Sequence, residues 1–473
     1  MVMRFWKKLR IFYLLIFLGA CTDKSGQAIK EIRIGLHNDN ELSIQIDVVT
    51  TEPVETYVLY WPDSIGKSGA LTSTRSKNGL QHSLLLGNML PDSKYSFQVV
   101  TVKNNQETTS RIYPLKTRVL PMWLKDQFKY SGDSLQIIPA VFKEGFMLVN
   151  KRETPGVAYI VDYKGRIRWY HMVAGTGFKV VHFTKDQTIL SILGKNDEPT
   201  SYGSEILEIN LLGDTVLHLK KGDGDFKQVI HHEIRKNDQG QIITLFIDQR
   251  VLDLSSVGGS KKDTVNGDGI LILDKQGKKI WQWSVFDVMD PLKDPQLLKT
   301  KKDWMHANSL NFDKDSNFII SFYNNGQIWK VNAKTGSVMW KLGKGGSFNM
   351  CADCAFNQSH AVHINRQGNL MFFDNGVEKR QSEVFALKLD QEKQTAQLDL
   401  HIKLPKDIYN DRMGSAYMIN DTSVLCCSSK RKIAVLVNRK GVLLWAMDTA
   451  IPPYRVEFLT KEQVAPWLQP LKD

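Results

Sequence analysis

The sequence predicts an all-β protein: a small N-terminal β-sandwich followed by a six-bladed β-propeller. Three observations carry this. Short period-two strands fill residues 32–120. Beyond Pro121 a strand–turn–strand unit recurs six times, at intervals of roughly 45 to 65 residues, without long helical periodicity. Three blades then bring a histidine to the same place in the repeat, so residues far apart in sequence are expected to converge.

The chain has 473 residues, long for a single core, and two domains are expected. Hydrophobic residues at 42% and charged residues at 24% are ordinary for a globular chain, which argues against general disorder. Residues 1–20 read as a signal peptide. Arg4, Lys7, Lys8 and Arg10 precede the apolar run Ile11 to Leu18, which is too short to span a membrane comfortably. Leu18-Gly19-Ala20-Cys21 matches the bacterial lipoprotein processing box, so Cys21 is expected to carry lipid, with residues 21–31 as a tether. The expected location is the cell envelope, on the periplasmic side or anchored in the outer membrane. An uncleaved anchor or a plain secretory signal is the alternative.

The formal charge is +12; subtracting the four basic residues of the signal leaves +8. No dense basic tract with interleaved aromatics accompanies it, so nucleic acid is not an expected partner. In an oxidising compartment Cys351 and Cys354 suit a small disulfide loop, with free thiols or a redox pair as the other readings. Cys426 and Cys427 are neighbours on a strand and face opposite ways.

In the first domain, Leu42 to Val48 and Tyr95 to Val99 alternate, and Trp61 is expected to plug the core. Leu90 to Tyr95 resembles the corner of fibronectin type III domains, where a tyrosine hydroxyl ties a turn to backbone. Residues 121–473 form the propeller. Its repeats run Val161–Gly165 to Trp169, Ile209–Gly213 to Leu217, Leu273–Gly277 to Trp281, Val331–Gly336 to Trp340, the degraded Leu389–Glu392 to Leu398, and Val437–Gly441 to Trp445. Trp169, Trp281, Trp340 and Trp445 are expected as core plugs. Asp253 to Asp268 and Val288 to Lys302 read as loops over one face.

The histidine stretches are Ile230 to Glu233, Trp304 to Ser309 and Ser359 to His363. Each precedes its repeat's turn, where the innermost strand of a blade belongs. His232, His306 and His360 are therefore expected around one mouth of the channel, with Asn308, Ser309, Gly414 and Ser415 nearby. His231 and His363 flank the set, and His182 is expected to face a blade interior.

Asp303-Trp304-Met305-His306-Ala307-Asn308-Ser309, His231-His232-Glu233-Ile234, Ser359-His360 with Phe373-Asp374-Asn375-Gly376, Gly414-Ser415-Ala416 and Tyr454-Arg455 together resemble the bacterial arylsulfotransferase family. The resemblance spans most of the chain. It implies transfer of a sulfuryl group from a phenolic sulfate ester to a phenol, by a ping-pong route through a sulfohistidine. Phosphoadenosine phosphosulfate, metals and other cofactors are not needed. It implies His360 as nucleophile, with His232, His306 and Asn308 on the sulfate oxygens and leaving group, and Ser415 as a further contact. A homodimer is an expectation from the resemblance alone. Two departures stand out. Tyr323 occupies the place of an arginine that usually follows the D-W-x-H-x-N-S strand, and Ser359 rather than a glutamine precedes His360. A tyrosine does not supply the bidentate anion clamp of an arginine. Two other readings stay open: a metal-dependent propeller hydrolase or lyase, since three histidines also bind zinc, and a non-catalytic lipoprotein binding glycan or protein.

Overall fold

The computed structural model describes residues 28–36, 40–131, 137–199, 201–465 and 467–470. The signal, Cys21 and most of the tether lie outside the described residues. Among the described residues, no helix is long and apolar enough to cross a membrane. The chain divides into two compact units, one built chiefly from the residues up to Lys125 and the other from Asp126 to Gln463.

The first unit turns on one long strand, Ile44–Pro62. Its first half pairs with Ile29–Leu36 and Gly79–Leu86, and its second half with Lys94–Lys103. The register is lost between Val49 and Val54, so a single strand serves two sheet faces. Ile44, Ile46, Val48, Val58, Leu84 and Phe97 fill the space between them. Alternation along each half produces this: every second side chain points inward. Trp61 is buried, and the Tyr95 hydroxyl accepts the Leu90 amide proton at 2.8 Å.

The second unit is a six-bladed β-propeller of four- and five-stranded antiparallel-cored sheets. The six innermost strands, labelled β1 to β6 in chain order, are Gly177–Phe183, Ile230–Lys236, Ala307–Phe312, Ser359–Ile364, Ser415–Met418 and Glu457–Leu459. β6 pairs with Phe146–Lys151, so the C-terminal region supplies the inner strand of the blade whose other strands begin the propeller. At the far edge, Phe128–Tyr130 pairs with Leu443–Thr449 of the last blade. The ring is thus closed from both directions.

The repeated Asp/Asn…Gly turns have a local cause. In Asp274-Lys275-Gln276-Gly277-Lys278 the Asp274 carboxylate accepts from the amides of Gln276 (2.8 Å) and Lys278 (2.9 Å), while Gly277 takes a φ of 77°. The side chain imitates a backbone turn, and glycine supplies the left-handed residue at little steric cost.

Trp169, Trp340 and Trp445 are buried as expected, but Trp281 is only partly so. In that blade Trp283, two residues on, is the buried plug, and its indole N–H donates to the Gly336 carbonyl at 2.8 Å. Trp281 and Trp283 share a face of their strand, and only the packing of the next blade decides which is enclosed. Trp283→Ala is expected to cost about 3–5 kcal/mol in urea denaturation, and Trp281→Ala less than half of that.

Candidate active site

Three inner strands break their ladders at equivalent places. In β2 the pairing jumps from His231 to Ile234, in β3 from Ala307 to Ser309, and in β4 from His360 to His363. At two of the breaks, and directly before the third, a non-glycine residue adopts left-handed backbone: His232 (φ 57°), Ala361 (φ 53°) and His306 (φ 55°). That conformation costs about 1–2 kcal/mol per residue, and such strain collects where a structure has to aim a side chain. The bulge releases the histidines from the two faces of the sheet and turns them toward one another.

The convergence is close. The rings of His232 and His306 lie 4.9 Å apart between centroids, and Tyr323 stands between His306 and His360 at 5.4 Å from each. His232 and His360 are buried, whereas the His306 side chain is about a quarter exposed. The second nitrogen of each ring meets a different environment. His306 Nδ1 is 2.5 Å from Asp303 Oδ2, and His232 Nδ1 is 2.8 Å from His231 Nδ1. His360 Nδ1 is buried without a hydrogen bond.

These environments push the proton affinities of the rings in opposite directions. Burial lowers the His360 pKa to about 3, aided by the charges of His306 and Arg455, so the ring is neutral near pH 7. Burial likewise drives His232 well below its ordinary value, with His306, His231, His360 and Arg455 adding to the effect. Burial also opposes charge on His306, but the hydrogen bond and charge of Asp303, with Asp268 behind it, outweigh burial and raise its pKa. One neutral imidazole therefore faces one that favours its cation.

The remaining sequence candidates take varied places. Asn308 is fully enclosed. Its amide donates to the Ser359 carbonyl at 2.9 Å and accepts from the Ser321 hydroxyl at 2.6 Å, so it joins β3 to β4. Ser309 is bonded to Ser321 and accepts the Val362 amide proton. The Ser415 hydroxyl is shared with the backbone of Val456, linking β5 to the segment that enters β6. The Tyr323 hydroxyl donates to the Asp411 carbonyl at 2.8 Å, with its ring tilted against His306 and edge-on with His360. His231 lies behind His232. His363 is bonded to the Ala361 carbonyl, with its ring 5.0 Å from that of Tyr417. Cys351 and Cys354 are joined in a disulfide, and Cys426 and Cys427 are buried free thiols.

His182 does not face a blade interior. It sits on β1 in the channel, 3.2 Å from Glu457 and 2.9 Å from the Arg235 guanidinium. Because β1 lines the channel, a position late in this strand still faces the axis.

Of the groups that set these charges, Asp303 and Arg455 stand within the motif strings, whereas Asp268 carried no signal in the sequence. Asp303 precedes His306 by three residues and meets its ring at Nδ1. Asp268 arrives on the strand Asp263–Leu273, at the end of what reads as a loop insertion. Arg455 is buried and donates to Glu233 (2.5 Å) and to the Asn308 carbonyl (2.9 Å). Its charge acts on both His232 and His360, although it is tied to Glu233. Among the described residues, no group of three His, Cys, Asp or Glu side chains is arranged to hold a metal ion.

Fold and site together define a β-propeller protein whose inner strands bring His232, His306 and His360 into one cluster. Residues 134–441 match the family model described as Arylsulfotransferase (ASST), and the chain belongs to this enzyme family. No curated protein matches the chain. Among solved structures it is similar to a Bacteroides caccae protein of unknown function (10% identity, TM-score 0.42, covering 67% of this chain and 99% of that one). It is also similar to a putative 6-phosphogluconolactonase from Bacteroides fragilis (11%, 0.37, 86% and 98%) and to virginiamycin B lyase from Staphylococcus aureus (9%, 0.35, 71% and 96%). Likenesses this loose bear on no chemistry.

Proposed function

We propose that the protein transfers a sulfuryl group from a phenolic sulfate ester to a phenol, through a sulfohistidine at His360. The carrying observation is the pairing of a neutral buried His360 with His306 held toward its cation. A neutral imidazole has the free lone pair that attack on sulfur requires, and a covalent intermediate divides one hard displacement into two easier ones. The imidazolium at His306 faces the same pocket and suits the sulfuryl oxygens, whose charge a fixed cation stabilises. His232, with Nδ1 engaged, presents Nε2 to the phenolic oxygen. That oxygen has a conjugate acid of pKa about 10, so it leaves more readily with a proton and attacks more readily without one.

The test is turnover of 4-nitrophenyl sulfate with and without an added phenol, in the presence of chelator. Phenol-stimulated nitrophenol release that survives chelation, with a sulfuryl adduct on the His360 peptide, is the expected result. Loss on chelation favours a metal-dependent enzyme. The tyrosine at the place of the family's arginine favours a second reading, non-catalytic binding, and absence of turnover with every aryl sulfate is its outcome.

Asp303→Asn gives a pH test. If charged His306 is required, activity persists below its raised pKa and is lost as pH rises through it. Without Asp303, burial acts on the ring with less opposition, and the alkaline limb of kcat/KM moves to lower pH. An unmoved limb contradicts the assignment of His306 as the cation.

Two further readings belong to the same proposal. The Tyr95–Leu90 bond and the buried Trp61 support a fibronectin type III-like N-terminal unit. The Leu18 to Cys21 box supports a lipid tether in the cell envelope, and with it a donor and acceptor met outside the cytoplasm.

A further inference from the structure

His232 presents a chemical difficulty. The group beside the phenolic oxygen has to give a proton in the first half-reaction and take one in the second. Yet burial and its neighbours His306, His231, His360 and Arg455 all oppose an imidazolium at this position. A second cation next to His306 is the costliest way to store that proton.

Behind His232 lies a structure that avoids it. His231 and Asp268 are each about 1% exposed. His231 Nδ1 lies 2.8 Å from His232 Nδ1, and His231 Nε2 lies 3.4 Å from Asp268 Oδ1. His231 Nε2 and Asp268 Oδ2 are buried without a hydrogen bond, while the Phe246 carbonyl lies by the His231 ring and the amides of Ala307 and His306 by the Asp268 carboxyl. Tyr202 flanks both rings, at 5.2 Å from His231 and 5.7 Å from His232. Two Nδ1 atoms bond to one another only when one of them carries the proton, so the two rings hold complementary tautomers.

We propose that Asp268 is the proton reservoir of the site, exchanging a proton with the phenolic oxygen through His231 and His232. The proposal rests on the sulfuryl-transfer reading above. In the first half-reaction the His360 Nε2 lone pair forms the N–S bond, and the S–O bond breaks with its electron pair passing to the aryl oxygen. That oxygen takes the proton from His232 Nε2. His232 Nδ1 takes the proton of His231 Nδ1, and His231 Nε2 takes the carboxyl proton of Asp268, leaving a carboxylate. When the acceptor phenol attacks the sulfohistidine, its proton enters at His232 Nε2 and the same three shifts run backward. No imidazolium forms at His231 or His232 in either direction.

The environment of Asp268 fits the task. Burial, then the nearby charge of Asp303, raise its pKa to about 7; the amides of Ala307 and His306 and the charge of His306 only partly offset them. A carboxyl poised there both donates and accepts near neutral pH. Asp268 and His231 touch no substrate and are positioning residues acting through His232.

Asp268→Asn keeps the shape but removes the exchangeable carboxyl proton. The experiment compares kcat/KM for phenyl sulfate, whose phenol leaves poorly, with that for 4-nitrophenyl sulfate, whose phenolate needs little protonation. The ratio of the two is expected to fall about 100-fold in Asp268→Asn, and His231→Gln repeats the selective loss by cutting the chain at its middle. A merely structural role lowers both donors alike. An unchanged ratio in a folded variant overturns the relay and passes the acid role to His306. A second readout does not need turnover. In 15N-histidine spectra, His232 Nε2 is expected to change from N–H to bare nitrogen as Asp268 titrates near neutral pH, and this transition is expected to vanish in Asp268→Asn. Wild-type protein inactive on every aryl sulfate defeats the transfer reading, and the titration then decides the reservoir independently.

Discussion

His360→Ala is expected to lower kcat/KM for aryl sulfate transfer by on the order of 10⁴-fold or more, as removal of a nucleophile does in other covalent enzymes. The loss belongs to the chemical step, so binding of the sulfate ester should change far less. His306 and its Asp303 partner remain in place to hold the anion. The folded state should tolerate the change, because His360 is neutral and its truncation strands no charge. Two measurements check this: transfer kinetics with 4-nitrophenyl sulfate and a phenol, and a search for the sulfuryl adduct by mass spectrometry of the peptide carrying residue 360. A His360→Ala protein that keeps wild-type turnover, or an adduct found on His232 or His306 instead, removes the assignment.

The second large effect concerns stability. Glu233 is buried between two guanidiniums, 2.5 Å from Arg455 and 3.2 Å from Arg235. Glu233→Ala leaves Arg455 enclosed without its counter-ion, and breaking one side of a buried pair typically costs about 3–5 kcal/mol. A fall in Tm of roughly 10 °C is expected at neutral pH. The pH dependence has a definite sign. Burial pushes the Glu233 carboxyl up, but Arg235 and Arg455 outweigh it and the net pKa is lowered. A group whose folded pKa is depressed contributes stability above its unfolded value, about 4.3, and loses it as pH falls through the folded value. The difference in Tm between wild type and Glu233→Ala should therefore shrink in acid below pH about 4. A difference that persists there shows that packing, rather than the ion pair, carries the effect.

Much of the architecture was legible because its signals are local. An aspartate or asparagine three residues before a glycine makes its own turn through side-chain hydrogen bonds, whatever surrounds it. Four of the six repeats carry such a turn, a fifth has it one residue longer and the sixth is degraded, and their recurrence between alternating strands leaves few architectures other than a propeller. The matched spacing of His232 and His360 before Gly240 and Gly368 is also local, and it marks the bulged inner strands. Signals that needed a neighbour were read less well. Trp281 and Trp283 share a strand face, and the next blade decides which one is buried. His182 follows the same rule: its strand, β1, is innermost, so the ring meets Glu457 and Arg235 across the channel. Asn308 and Ser415 reach backbone groups of adjacent strands, which no spacing along the chain foretells.

The linear order of residues determined by itself that this protein is a ring of β-sheets with histidines placed to meet, because turn chemistry and strand alternation act over only a few residues. Tertiary structure alone decided what those histidines are chemically. Proton affinity depends on burial and on charges brought within a few ångströms from distant segments. Asp303 beside His306 draws that imidazole toward its cation, while burial, aided by Arg455 from the C-terminal region, holds His232 and His360 toward the neutral form.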